Sequence, residues 1–208
     1  MTIDTVRSSG HLIIARGARI ALRRKTRDDA TDDYRWRTNA ENARFDGGAT
    51  LRQTFDQFLR QLESDLAFGP PEKEMFAIIT PAGEHLGNVM YYNADSYQGT
   101  AEFGISLGAE ASRGQGLGTE AAILFLRHLW ANYPFRRVYL HTLDWNTRAI
   151  ASFRKAGFDT AAQVERGGQQ FVRMEARREW WLLWDDEGRF DAPTQPRENG
   201  EPGPARAQ

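Results

Sequence analysis

The chain has 208 residues, of which 40% are hydrophobic, so it is long enough to bury one sizeable core and we expect a single α/β domain. It contains no cysteine, which excludes disulfides, thiolate metal sites and a cysteine nucleophile. The four histidines show no paired metal-ligand spacing, so no metal centre is expected. The formal net charge of -1 and the lack of long apolar runs predict a soluble, cytoplasmic protein that binds neither nucleic acid nor membranes.

The first third of the chain shows strand patterns followed by helical ones. Apolar and β-branched residues around a glycine in residues 11–22 indicate two short strands, or one strand with a bulge. Residues 28–36 predict a first helix. Residues 50–66 predict a second helix, because Thr50 and Gln53 have capping-box spacing and the apolar side chains that follow recur on one helical face.

The middle of the chain returns to strands. Residues 74–95 read as a β-hairpin. The segment TAEFGISL at 100–107 alternates, so its apolar side chains share one face of a strand and Glu102 lies on the other. We therefore predict three consecutive strands before the glycine-rich stretch that follows.

The second half predicts a helix, a strand, a helix and a final strand pair. Residues 116–133 carry a broad apolar stripe, which predicts a largely buried helix. Residues 136–143 are typical of a strand. Residues 146–158 predict a short helix that begins at the N-cap Asn146, and two strands follow around the glycines at 167–168.

The end of the chain changes in composition. REWWLLW at 178–184 places three tryptophans in one short segment, which indicates closure of the core or a contact between subunits and leaves a homodimer open. Beyond Asp185 the chain gains prolines and glycines and loses large apolar residues. We predict a flexible N-terminus at 1–10, one domain at 11–184 and a disordered tail at 185–208.

The stretch SRGQGLGTEA at 112–121 crowds three glycines between a strand and a helix. Free backbone N–H groups at the start of a helix, approached closely through glycines, form an anion cradle, although a tight turn explains the glycines equally well when they are taken alone. No lysine follows the last glycine, which argues against hydrolysis of ATP or GTP. Thr119 at the third glycine position argues against a dinucleotide-binding dehydrogenase.

Two motifs together resemble the GNAT superfamily of acyl-CoA-dependent N-acetyltransferases. The matching residues are Arg113, Gly116 and Gly118 of its pyrophosphate signature and Asn146, Ala149, Gly157 and Phe158 of a later signature. The resemblance covers about residues 12–180. EFGISL, Trp36 and Met174 look like the branch that includes ribosomal-protein N-terminal acetyltransferases.

The resemblance implies both a fold and an activity. The implied fold is mixed α/β (α+β), with a mainly antiparallel twisted sheet of about seven strands flanked by about four helices. Strands at 100–107 and 136–143 would splay apart to admit the pantetheine arm of CoA. The implied reaction transfers an acetyl group from acetyl-CoA, without a metal, to a primary amine of a small molecule or a protein N-terminus.

The resemblance also assigns the residues that contact the acyl donor. The loop that would hold the pyrophosphate consists of Arg113, Gly114, Gln115, Gly116, Leu117, Gly118 and Thr119. Asn146 would bond the pantetheine arm, although a plain helix N-cap explains it too and both roles can hold. Backbone N–H groups between Ile105 and Leu107 would polarise the thioester carbonyl.

Acetyl transfer to an amine needs a base, a polarised carbonyl and a proton for the departing thiolate. Glu102 is the candidate base, since it lies one strand away from the acyl arm; an ordinary solvated strand glutamate is the alternative. Phe153 stands where many family members have a proton-donating tyrosine, so the acid is Ser152, another residue, water or no group at all. A non-catalytic acyl-CoA-binding or regulatory module is therefore the alternative function. The first two helices and the loop between them, ENARFDGGAT at 41–50, are expected to form the acceptor pocket, with help from Tyr91, Tyr92 and the last strands.

Overall fold

The computed structural model describes residues 7–8, 11–45, 47–108 and 114–191. Within these residues the chain forms nine strands, six α-helices and a 3-10 turn at Arg27–Asp29. The strands are β1 Arg7–Ser8, β2 His11–Arg16, β3 Ala21–Arg24, β4 Glu74–Ile79, β5 His85–Asp95, β6 Thr100–Leu107, β7 Arg137–Leu143, β8 Asp159–Arg166 and β9 Gln169–Arg177. The helices are α1 Ala30–Arg37, α2 Ala40–Phe45, α3 Phe55–Phe68, α4 Leu117–Asn132, α5 Thr147–Lys155 and α6 Arg178–Asp186.

All nine strands belong to one sheet in the order β1-β2-β3-β4-β5-β6-β7-β9-β8. Every neighbouring pair is antiparallel except β6 and β7, which run parallel. The predicted mixed, mainly antiparallel fold is confirmed. The described residues contain more elements than the predicted seven or so strands and four or so helices. The additional elements include the two-residue β1 and the short helices α2 and α6, which lie in segments that were predicted as neither strand nor helix.

The two parallel strands separate along their length. β6 pairs with β7 only from Thr100 to Glu102, opposite Arg137 to Tyr139. Beyond Glu102 the strand β6 continues to Leu107 while bonded on its other side to β5 alone. The predicted splayed strand pair is therefore present, and it opens toward the glycine-rich loop that follows β6.

The main core lies between the sheet and the helices α4 and α5. Phe76 and Phe103 on the sheet contact Phe125 of α4, with ring centroids 5.5 and 5.8 Å apart. Trp181 of α6 is fully buried and packs against Trp130 of α4, so α6 closes one end of this core. The exposure of Trp180 on the same helix is compatible with a subunit contact, and the homodimer stays a prediction.

The helix α1 is joined to the sheet by buried charged groups. Lys25 Nζ lies 2.6 Å from Oδ2 of Asp33 and donates to Oδ1 of Asn88 at 2.7 Å. Arg23 pairs with Asp29 through both guanidinium nitrogens. The pairing of opposite charges compensates for their loss of hydration, because an unpaired ion buried in the interior would destabilise the fold by several kcal/mol.

Two predicted boundaries are wrong. The second long helix begins after the N-cap Thr54, whose hydroxyl accepts from the N–H of Gln57, so the capping box lies four residues later than Thr50 and Gln53 predict. The predicted domain boundary at 184/185 falls inside α6, and Phe190 beyond it is buried against Trp181. The predicted flexible residues at 1–6 and 9–10 and the predicted tail beyond 191 lie outside the described residues.

Among the helices described above, none combines the length and apolar character that crossing a bilayer requires.

Candidate active site

The glycine-rich loop ends in a left-handed turn at the start of α4. Gly114 and Gly116 both have φ of 78°, a conformation that side chains other than glycine rarely adopt. Gly116 is the N-cap of α4, and the first helical bond runs from the N–H of Glu120 to its carbonyl. The N–H groups of residues 117–119 therefore have no helical partner and point out of the positive end of the helix dipole. This arrangement fits a diphosphate. Arg113 lies outside the described residues.

A cation that the sequence motifs did not indicate stands beside this loop. Arg19 donates from Nη1 to the carbonyl of Gln115 at 2.6 Å, and its Nε lies 2.9 Å from Oε2 of Glu120 in the first turn of α4. A Cβ placed on Gly116 would lie 3.4 Å from Nη2 of Arg19. Arg19 lies 96 residues before Gln115 in the chain, so no local motif could have revealed it.

Four predicted residues meet where β6 approaches the first turn of α4 and the helix α5. A Cβ on Gly118 would lie 3.6 Å from Cδ1 of Leu107 and 3.8 Å from Oγ of Ser152. The hydroxyls of Thr119 and Ser152 share a hydrogen bond of 2.7 Å. Ile105 and Leu107 are half-buried against the core. The missing side chain at Gly118 thus leaves space between the splayed strand and the helices.

Asn146 caps α5, as the helix pattern predicted. Its Oδ1 accepts from the N–H of Ala149 at 3.2 Å. Within the described residues its Nδ2 makes no hydrogen bond, so the amide retains a donor for a ligand. A role for Asn146 in binding the pantetheine arm stays a prediction.

Glu102 lies on the face of β6 opposite Phe103, as predicted, but it is not a solvated strand glutamate. It is only 5% exposed, and its two carboxylate oxygens accept from Nδ2 of Asn93 at 3.0 Å and pair with Nδ1 of His141 at 2.7 Å. Asn93 has φ of 50° at an irregularity in the pairing of β5 with β6. Asparagine tolerates this conformation better than most residues, and the bulge aims its amide at the carboxylate.

His141 connects Glu102 to a third group. Nη2 of Arg166 lies 3.0 Å from Nε2 of His141. Because a guanidinium can only donate, Nε2 accepts this bond and Nδ1 carries the proton that it donates to Glu102. Burial, and then the negative charge of Glu102, raise the pKa of both Tyr92 and Tyr139 above the ordinary tyrosine value. Both phenols therefore stay protonated at neutral pH beside the carboxylate.

An open depression of about 430 Å³ lies on this face of the sheet. Tyr139 and His141 form part of its wall, together with the ends of β5 and β6 and with residues of β8 and β9. Tyr91, which the acceptor prediction included, is buried on the opposite face against Tyr133 and Phe135, so that part of the prediction is wrong. Strand alternation explains the difference, since Tyr91 and Tyr92 must point to opposite faces.

Phe153 is a core residue. It is 9% exposed and contacts the rings of Phe103 and Phe158 at 6.1 and 6.0 Å. Its side chain cannot donate a proton, so any proton donor to the departing thiolate lies elsewhere. Within the described residues, no group of three or more side chains is placed to hold a metal ion.

The comparisons with known proteins agree with this geometry. The profile of the acetyltransferase (GNAT) domain matches residues 19–159, and the chain therefore belongs to this family. Acetyl-CoA is the co-substrate of the family, and binding of its pyrophosphate by the glycine loop stays a prediction. No curated protein sequence matches the chain significantly.

Solved structures share the fold. A spermidine N-acetyltransferase from Vibrio cholerae in complex with CoA and spermine has a TM-score of 0.71 and 17% identity, over 78% of this chain and 98% of its own. The aminoglycoside acetyltransferase AAC(6')-Ib in complex with coenzyme A has a TM-score of 0.66 and 22% identity, over 79% of this chain and 98% of its own. An uncharacterized protein from Bacillus halodurans has a TM-score of 0.66 and 15% identity, over 80% of this chain and 89% of its own.

Proposed function

We propose that the protein transfers the acetyl group of acetyl-CoA to a primary amine by direct attack in a ternary complex. The observation that carries this proposal is the buried Glu102–His141 pair, which lies where β6 and β7 separate. The same separation leads toward the glycine loop. A proton acceptor and an acyl-donor cradle thus lie at the two ends of one opening in the sheet.

The pair supplies the base. Glu102 holds the Nδ1–H of His141, so Nε2 is the atom that accepts the proton of the attacking amine. As the amine nitrogen bonds to the thioester carbonyl carbon, the carbon–sulfur bond breaks and the sulfur leaves as a thiolate. Glu102 acts by orienting the imidazole and by stabilising its charged form, while His141 takes up the proton.

On the acyl-donor side of the site, the proposed residue roles are those that the sequence motifs predicted. Backbone N–H groups from Gly114 to Thr119 would hold the pyrophosphate, and those between Ile105 and Leu107 would polarise the carbonyl. Ser152 is the candidate donor to the leaving sulfur, because its hydroxyl lies beside the space at Gly118. A thiolate leaves with little assistance, so this contribution is the smaller one.

The acceptor is proposed to be a small-molecule amine. The fold is shared with acetyltransferases named for spermidine and aminoglycosides, and the depression of about 430 Å³ has the size of a small-molecule site. A protein N-terminus is the other acceptor that the sequence resemblance implies, through the branch that acetylates ribosomal proteins. No feature of the described residues favours that branch over other members of the family, so acetylation of a protein N-terminus stays a prediction.

The test measures CoA thiol release from acetyl-CoA in the presence of a panel of amines, amino sugars, amino acids and short peptides. We expect turnover with a subset of the small amines and loss of that turnover in His141→Gln. A protein that binds acetyl-CoA but acetylates nothing in the panel would be the non-catalytic acyl-CoA-binding module, the alternative supported by the lack of a proton-donating hydroxyl at Phe153.

A further inference from the structure

The wall of the depression is rich in guanidinium groups. Arg137, Arg166 and Arg173 all contribute to it, whereas Asp95 is the one carboxylate among the described lining residues. Oδ1 of Asp95 accepts from the backbone N–H of Gln98 at 2.9 Å, which holds it at the turn between β5 and β6. The exposed lining therefore carries two more positive than negative charges, counted as three arginines less one aspartate.

Two of the three arginines have a carboxylate partner. Nη2 of Arg173 lies 2.9 Å from Oε1 of Glu175, and Nη1 of Arg137 lies 3.7 Å from Oε2 of the same residue. Arg173 also stacks on Tyr139, with its guanidinium carbon 4.6 Å from the ring centroid. These two guanidinium groups are thereby held in place and are partly neutralised.

Arg166 differs from the other two. It forms no ion pair with any described residue, and its polar partner is the neutral ring nitrogen Nε2 of His141 at 3.0 Å. A hydrogen bond from a guanidinium to an anion is about twice as strong as one between neutral groups. An anion entering the depression would therefore be a better partner for Arg166 than the imidazole.

We infer that the acceptor amine also carries an anionic group, a carboxylate or a phosphate, which binds Arg166 while the amine faces His141. This inference rests on the proposed function, since it places the amine at the proposed base. The site then has two complementary parts: a buried carboxylate–imidazole pair for the amine, and a partly exposed guanidinium wall for the acid. A polyamine without an acidic group would instead bring positive charge against Arg166, which has no carboxylate partner among the described residues.

Binding of the anionic group to Arg166 also frees Nε2 of His141 to accept a proton. While Arg166 donates to Nε2 of His141, the lone pair that must accept the amine proton is occupied. An acidic group on the acceptor draws Arg166 away and releases Nε2. The anionic member of a matched pair of amines should therefore show both a lower KM and a higher kcat.

The test compares acceptors that differ only in the acidic group. Phosphoethanolamine is matched with ethanolamine, and lysine with cadaverine, so that the phosphate and the carboxylate are examined separately. Titration calorimetry measures their binding to the protein saturated with CoA, which fills the glycine loop and carries no acetyl group to transfer. We expect the anionic member of at least one pair to bind about tenfold more tightly or better.

The variants are Arg166→Gln and Arg166→Lys, with Arg60→Gln as the control for loss of one positive charge on the exposed face of α3. Arg166→Gln should reduce the ratio of the affinities for the anionic and the non-anionic member of a pair to about twofold or less. Arg166→Lys should keep part of this preference for the anionic member, and Arg60→Gln should keep all of it. Equal binding within both pairs, or a preference that survives Arg166→Gln, would overturn the inference.

Measurements of turnover distinguish failure of this inference from failure of the proposed function. Acetylation of amines with equal kcat/KM within each pair would refute the anion site and leave the acetyltransferase standing. Anion-dependent binding without acetylation of any amine would support the anion site and refute the proposed catalysis.

Discussion

His141 and Glu102 form a hydrogen-bonded pair, with Nδ1 of the imidazole 2.7 Å from Oε1 of the carboxylate. Glu102 occupies the last paired position between the parallel strands β6 and β7, and His141 follows two residues beyond its partner position on β7. The pair is thus held where the sheet opens. In the proposed mechanism, this location lets a carboxylate that is almost fully buried act on a ligand through the imidazole.

Glu102→Gln should lower kcat by about a hundredfold, because glutamine preserves the shape of the side chain but does not stabilise the protonated imidazole. The loss should be largest at pH values where the free amine is still protonated. The affinity for acetyl-CoA should stay the same. The measurement is the pH profile of kcat/KM for wild type and variant, and an unchanged profile would remove Glu102 from the catalytic pair.

A side chain at Gly116 should weaken CoA binding without unfolding the protein. Gly116→Ala and Gly83→Ala both place a side chain on a left-handed glycine, with φ of 78° and 92°, so each should cost about 1 to 2 kcal/mol of stability. Only Gly116 belongs to the loop. Calorimetry should show at least a tenfold loss of CoA affinity for Gly116→Ala and none for Gly83→Ala; equal affinities would refute the cradle.

Gly118→Val tests the opening between β6 and the helices. A Cβ at this position meets only ordinary contacts with Leu107 and Ser152, so the fold should tolerate the change. The larger side chain should fill the space through which the donor arm passes. We expect a normal unfolding transition together with strongly reduced CoA binding, and normal CoA affinity in a folded variant would contradict the assigned route.

Arg19 should contribute to CoA affinity through its charge. Its side chain is 52% exposed and lies against the loop, so Arg19→Gln should weaken CoA binding about fivefold, with a smaller effect at high salt. Arg19→Lys should keep most of the affinity. A loss that is independent of salt, and equal in both variants, would indicate that Arg19 only supports the loop.

His85 should make the stability of the protein depend on pH. Burial, and then the positive charge of Lys25, lower its pKa below the ordinary value of 6.5, so the unfolded chain takes up a proton at a higher pH than the folded chain does. The resulting stability is present above pH 6.5 and is lost as the pH falls toward the folded pKa. The acids that face the ring are Asp29, Asp32 and Asp33.

Chemical denaturation of wild type and His85→Gln between pH 8 and pH 5 measures this contribution. The variant should lose less stability over that interval than wild type does. Part of the slope should remain, since burial also lowers the pKa of His128. An identical slope in the two proteins would show that His85 does not titrate differently on folding.

The geometry of the proposed acyl-donor loop could be predicted because its parts are consecutive in the chain. A strand, three close glycines and a helix start define the loop, and the backbone N–H groups of adjacent residues necessarily converge at a helix N-terminus. The N-cap role of Asn146 is equally local. The alternation of TAEFGISL likewise placed Glu102 on the correct face of β6, because strand periodicity needs no tertiary information.

The acceptor side was decided by the tertiary structure alone. Glu102, His141, Arg166 and Asn93 lie on four different strands, and only the pairing registers of β5 to β9 bring their side chains into contact. Nothing in the local pattern of RVYLHTL distinguishes His141 from any other polar residue of a strand. By itself the sequence indicated acetyl-CoA as the donor, because the glycine loop proposed to hold its pyrophosphate is built from neighbouring backbone groups. The proposed base and the cationic wall of the proposed acceptor depression depend on contacts between residues that are distant in the chain.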